Sequence, residues 1–177
     1  MPQNFRVYDQ MHPHFITSSI VYFIPVFCRD EYFKIVADSL TYCSEQKGLL
    51  IHAYVIMPNH IHLVCSQKDG MLSSVIGDMK QFTSREIVKK LEEDGRHTWL
   101  SAMKRAAGEC GSFKVWDEAF HPEQIHSEPF LKQKIDYTHN NPVKAGYVND
   151  PCDWKYSSAS AYYRDVKSII PITRIDL

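Results

Sequence analysis

The chain has 177 residues, 44% of them hydrophobic, and 20 Lys and Arg against 21 Asp and Glu leave a net charge of −1. That suits a single compact globular domain, and no apolar run approaches the roughly 20 residues needed to cross a bilayer as a helix. The near-neutral balance weighs mildly against nucleic-acid binding, because such proteins are often basic overall.

Taken in chain order, Met1 to His14 is polar and aromatic and lacks the basic-then-apolar order of a signal peptide. Thr17 to Phe27 is dense in β-branched and aromatic residues and is predicted to be a strand. Asp30 to Gln46 has apolar residues at helical spacing, with Gly48 as its cap. Leu49 to Met57 and His60 to Ser66 are predicted strands, and Pro58-Asn59 between them suggests a hairpin. Leu72 to Glu93 is a long amphipathic helix. Residues 94 to 114 look like a loop with a short helix around Trp99 to Ala106. Phe120 to His126 is a fourth predicted strand. A helix follows, opened by Ser127-Glu128-Pro129 and closed by Pro142 and Gly146. The order β-α-β-β-α-β is that of a ferredoxin-like split sheet, an α+β fold with an antiparallel sheet. The core is expected over about 15–147, and an extension over about 148–177 wraps it within one domain. Five cysteines (Cys28, Cys43, Cys65, Cys110, Cys152) are odd in number and widely spaced, without a Cys-x-x-Cys pair. They argue against a disulfide framework or zinc ribbon and point to a reducing, cytoplasmic location.

The most informative stretch is Met57-Pro58-Asn59-His60-Ile61-His62-Leu63-Val64. Side chains alternate faces along a strand, so His60 and His62 point one way and Ile61 the other. Two neutral imidazoles side by side make half of a divalent-metal site; a chance His-x-His pair is the competing reading. About 75 residues further on, Tyr137 and Asn141 are four apart and share one face of the predicted helix. A phenol and a carboxamide there can serve as nucleophile and third ligand. They can equally be a half-buried aromatic and a C-terminal cap, and Asn140 competes with Asn141 for any role.

The ordered set resembles the single-tyrosine HUH transposases, in the branch associated with repetitive extragenic palindromes. His60-Ile61-His62 is similar to the HUH motif, and Asp136 to Gly146 to the tyrosine-helix signature. Met79-Lys80-Gln81-Phe82-Thr83, Val115-Trp116-Asp117 and Asp153-Trp154-Lys155-Tyr156-Ser157-Ser158 fall in the same order. The resemblance covers roughly residues 15 to 165 and implies a ferredoxin-like palm with helices on one face. It implies His60, His62 and Asn141 as ligands of Mg²⁺ or Mn²⁺, and Tyr137 as the nucleophile that cuts one DNA strand and stays attached as a 5′-phosphotyrosine. The implied partner is single-stranded or hairpin DNA from palindromic repeats. The family holds both monomers and swapped dimers, so a homodimer stays open, as do a hairpin-binding protein without cleavage, a structural metalloprotein and a related nickase. In much of the wider family the position four after the tyrosine is Gln; Asn141 is one methylene shorter. Relatives often carry a further His ahead of the tyrosine helix, and His121, Glu123 and His126 do not align confidently with it.

Basic residues recur at Lys80, Arg85 and Lys89 on one predicted helix, and at Lys144 and Lys155 in the second half. With nearby Phe82, Phe113, Trp116, Trp154 and Tyr156, they are expected to track a phosphate backbone and stack bases in a groove leading to the histidines. Solvated helix faces and core aromatics are the alternative.

Overall fold

The structure, a computed structural model, describes residues 12–117 and 122–175. Its centre is a four-stranded antiparallel sheet of β1 (His14–Ser19), β2 (Leu49–Met57), β3 (His60–Gln67) and β4 (Glu123–Gln124), in the order β2-β3-β1-β4. That is the ferredoxin-like arrangement. The two-residue turn at Pro58-Asn59 joins β2 to β3, and β1 inserts beside β3 with Thr17 opposite His62 and Ser19 opposite His60.

The pleat sorts the side chains. Ile16, Ile51, Tyr54, Ile61 and Leu63 face α1 (Asp30–Gln46) and α2 (Leu72–Glu93), whose Val36, Leu40, Ile76 and Met79 complete the main core. Each of these side chains is at most 1% exposed, and full burial of one is worth about 1.5–3 kcal/mol. The two crossover helices therefore share one face. The other face carries Phe15, Ala53 and Val64, covered by Leu131 and Ile135 of α4 (Glu128–Lys144). Ser127 caps α4 by accepting from Phe130 N at 3.3 Å, with Pro129 in the first turn. The helix continues through Pro142 to Lys144 before Gly146 turns the chain at φ +77°.

Three expected boundaries shift. The strand expected over 17–27 starts at His14 and stops at Ser19; a 3₁₀ turn at Val21–Phe23 follows, with Tyr22 and Phe23 at positive φ. Their aromatic character favours a strand, but contacts to the β2–β3 turn bend the backbone instead. The fourth strand is only Glu123–Gln124, while Phe120 and His121 lie outside the described residues. The short helix after α2 is α3, His97–Ala107.

The C-terminal segment lies along β2, an edge strand. Ile56 N donates to Tyr156 O at 2.9 Å, Ser158 N to Tyr54 O at 3.0 Å and Thr173 N to Ile51 O at 2.7 Å. These bonds occupy backbone groups that an open edge would offer to another chain. The short helix α5 (Ala159–Tyr163) sits within this segment. Among the described residues, no helix is long and apolar enough to cross a membrane.

Candidate active site

Alternation along β3 sends His60 and His62 to the α4 face of the sheet, and α4 brings Tyr137 and Asn141 over them. The two imidazole centroids are 4.8 Å apart, and the Tyr137 ring meets His62 edge-on at 5.3 Å. Asn141 Oδ1 lies 3.3 Å from His60 Nε2. Asn140 turns away, donating from Nδ2 to Asp136 O at 2.9 Å, so Asn141 is the amide at the site. Phe15 floors it, stacked on His62 at 5.3 Å and edge-on to Tyr137 at 5.7 Å. Lys144 Nζ stands 5.0 Å over the Tyr137 ring, a cation positioned on the phenol's π-face.

The hydrogen bonds fix how the imidazoles present themselves. Asn59 Nδ2 donates to Phe23 O at 3.3 Å, so Asn59 Oδ1 faces His60 Nδ1 at 2.7 Å and must accept from it. His60 Nε2 is then left with its lone pair, aimed at the Asn141 amide oxygen. Thr17 Oγ1, 2.8 Å from His62 Nδ1, can accept from that nitrogen and free Nε2 in the same way. Orienting partners of this kind are the usual second layer around metal-binding histidines. Burial holds His60 below its ordinary pKa against the opposing effect of Asn141, and it pushes His62 down to about 3, helped by His60 and Lys134. Both rings are neutral near pH 7. Two imidazoles and one amide oxygen, with His60 Nε2 and Asn141 Oδ1 facing across 3.3 Å, form a donor set that could hold a divalent cation. Among the described residues no cluster of three His, Cys, Asp or Glu side chains competes for one.

The other predicted residues are dispersed. Lys80, Arg85 and Lys89 lie on α2, on the face of the sheet opposite the histidines. Lys155 pairs with Asp30 and sits over Tyr156. Lys144 does border the site, and a groove along α4 links it to Tyr137, Asn140, Gln133 and Lys132. The basic approach on this face is thus built from α4. Trp116 and Tyr156 are core residues, 6% and 4% exposed. Trp116 Nε1 donates to Thr83 Oγ1 at 3.0 Å and ties its segment to α2. Glu123 pairs with Lys134 at 2.6 Å, and His126 is exposed just beyond β4; His121 is outside the described residues.

Sequence reading alone missed Thr17, Phe15 and His139. Period two along β1 places Phe15 and Thr17 on one face, but only the β1–β3 register puts Thr17 opposite His62. His139 is fully buried on the other flank of α4, with Nε2 2.8 Å from Ser158 Oγ and Nδ1 3.2 Å from Tyr163 OH. It ties the tyrosine helix to the C-terminal segment.

Residues 8–104 match the family described as Transposase IS200 like. That span holds both histidines and ends before α4. The REP-associated tyrosine transposase of Escherichia coli (strain K12) is 25% identical over 123 residues, which are 69% of this chain and 60% of that protein. The putative REP-associated tyrosine transposase of Haemophilus influenzae is 31% identical over 120 residues, 67% of this chain and 61% of that one. The chain thus spans about three fifths of the length of these curated relatives. A solved structure of a REP-associated tyrosine transposase bound to a REP hairpin superposes with a TM-score of 0.63, over 94% of this chain and 88% of that one, at 19% identity. That likeness is one of fold.

Proposed function

Because the chain belongs to the IS200-like transposase family, we propose that it is a DNA strand transferase that cuts single-stranded hairpin DNA through Tyr137. The observation that carries this is convergence. His60, His62, Tyr137 and Asn141 come from two elements far apart in sequence and meet on one face of the sheet.

His60, His62 and Asn141 would hold Mg²⁺ or Mn²⁺, which when bound supplies Lewis-acid neutralisation of charge on the scissile phosphate. The chain's own residues do the rest. Tyr137, 40% exposed, presents its hydroxyl to a strand lying along α4. Its oxygen attacks phosphorus, the bond to the 3′ oxygen breaks, and a 5′-phosphotyrosine remains. The phenol proton goes to solvent, and the departing oxygen takes up a proton to become a 3′ hydroxyl. The phosphodiester is exchanged rather than hydrolysed, so a second 3′ end can reverse the step without a nucleotide cofactor. Lys144, over the Tyr137 ring, and Lys132 neutralise backbone phosphates along the α4 groove. Tyr137 packs on His62 of its own chain, which favours a site completed within one subunit. Cys28, Cys43, Cys65 and Cys152 are unpaired, which suits action in a reducing cytoplasm.

The test is to incubate the protein with labelled hairpin DNA and Mg²⁺. A denaturant-resistant adduct that is lost in Tyr137→Phe supports strand transfer. Tight binding without an adduct would leave a hairpin-binding protein instead.

A further inference from the structure

We propose that Tyr22 and Phe23 form a stacking platform for an unpaired base of the strand entering the His60–His62 site. This rests on the strand-cutting reading and names where that strand is gripped next to the reacting phosphate.

The loop after β1 is firmly held. Ile20 N donates to Asn59 O at 2.8 Å, Val21 N to Val115 O at 2.9 Å and Phe27 N to Pro58 O at 2.9 Å. Val21, Ile24, Val26 and Phe27 are buried, yet Tyr22 and Phe23 between them are 63% and 64% exposed. Their backbones sit at φ 54° and 52°, a region that glycine occupies freely and aromatic residues rarely adopt. Two large side chains thus stand on strained backbone without contributing to the core. Such strain persists only where surrounding structure enforces it, and it gathers at functional sites.

Asn59 does the enforcing. Its Nδ2 donates to Phe23 O at 3.3 Å while its Oδ1 accepts from His60 Nδ1 at 2.7 Å. One side chain therefore bonds both the backbone that carries Phe23 and the first proposed ligand ring, which ties the platform to the site. The patch is two rings wide. A protein partner typically covers about 800 Å² per side, whereas one or two nucleobases match a pair of rings. Stacking of this kind accepts any base, because every base has a π-face. Phe82 and Tyr42 are also exposed, but they lie together on the α1–α2 side, across the sheet from the histidines.

The experiment uses the full chain carrying Tyr137→Phe, so that binding is read without covalent capture. The probes are hairpins with randomised single-stranded flanks of about ten nucleotides, some carrying 2-aminopurine, and the same hairpins blunt-ended. We expect Tyr22→Gly/Phe23→Gly to lose at least about fivefold affinity for flanked hairpins. Blunt-hairpin affinity should stay within about twofold, and the thermal midpoint should hold or rise as glycine relieves the backbone. Quenching of 2-aminopurine at one flank position should vanish in this variant and return in Tyr22→Trp/Phe23→Trp. Unchanged affinity for flanked hairpins overturns the platform. So does an equal loss for both probes, or a change of oligomeric state with DNA binding intact. If the unmodified protein forms no adduct and binds no hairpin, the strand-cutting reading fails and the platform with it. Normal adduct formation at sub-saturating flanked hairpin, when the same two glycine substitutions are made in the chain that keeps Tyr137, removes the platform alone.

Discussion

Asn141 reaches His60 to within 3.3 Å from a helix 81 residues away in sequence. The short amide suffices because Leu131 and Ile135 seat α4 directly on Val64 and Ala53 of the sheet. Asn141→Ala should weaken Mn²⁺ binding at least about tenfold in a calorimetric titration, and Asn141→Gln by less, since it keeps the oxygen but lengthens the arm. An alanine variant that binds Mn²⁺ like the parent would exclude Asn141 as a ligand.

Thr17→Val keeps the side chain's shape and removes the partner of His62 Nδ1. Loss of an orienting partner commonly costs about 10–100-fold in metal affinity, and the same range is expected here with little change in unfolding midpoint. An unaltered Mn²⁺ isotherm would show that Thr17 does not orient the ring.

Stability should fall in acid through buried histidines. Burial lowers His52, takes His62 to about 3 and takes His139 to about 4. Each folded pKa lies below the unfolded value of about 6.5, so the unfolded chain binds more protons between them. Stability from these groups is therefore complete above pH 6.5 and drains as pH falls towards 4 and below, by up to about 1.4 kcal/mol per pH unit per group. Denaturant melts at pH 7.5 and 5.0 measure it; equal midpoints would contradict the assignment.

His139→Ala should destabilise the fold by about 2–4 kcal/mol, combining a cavity with lost bonds to Ser158 and Tyr163. Chemical denaturation reads this directly. A cost below about 0.5 kcal/mol would mean that α4 does not depend on this anchor.

Charge removal separates the two faces of the sheet. Lys132→Ala/Lys144→Ala should weaken hairpin binding and flatten its salt dependence by about two counterions, whereas Arg85→Ala/Lys89→Ala, on the far face, should do neither. The opposite pattern would put the DNA along α2.

Much of this was readable from residue spacing. The bounds of α1 and α2 follow from helical periodicity, and the shared orientation of His60 and His62 follows from the pleat. Tyr137 and Asn141 share a face because they are one helical turn apart. What spacing does not carry is which side of the sheet a helix takes. Lys80, Arg85 and Lys89 are correctly placed on one helix, yet that helix packs away from the histidines. The end of β1 was hidden for a related reason: Tyr22 and Phe23 favour extended backbone locally, and a distant side chain, Asn59, overrides them. The partners of His139 lie in a segment without periodicity, so no local pattern announces them.

The pairing of Thr17 with His62 and Ser19 with His60 has a consequence for error. Sliding β3 by a single position would turn Ile61 and Leu63 outward and drive both imidazoles into the hydrocarbon interior. A misaligned molecule would therefore lose its packed core and its paired imidazoles in one step, so a single slip leaves neither half standing.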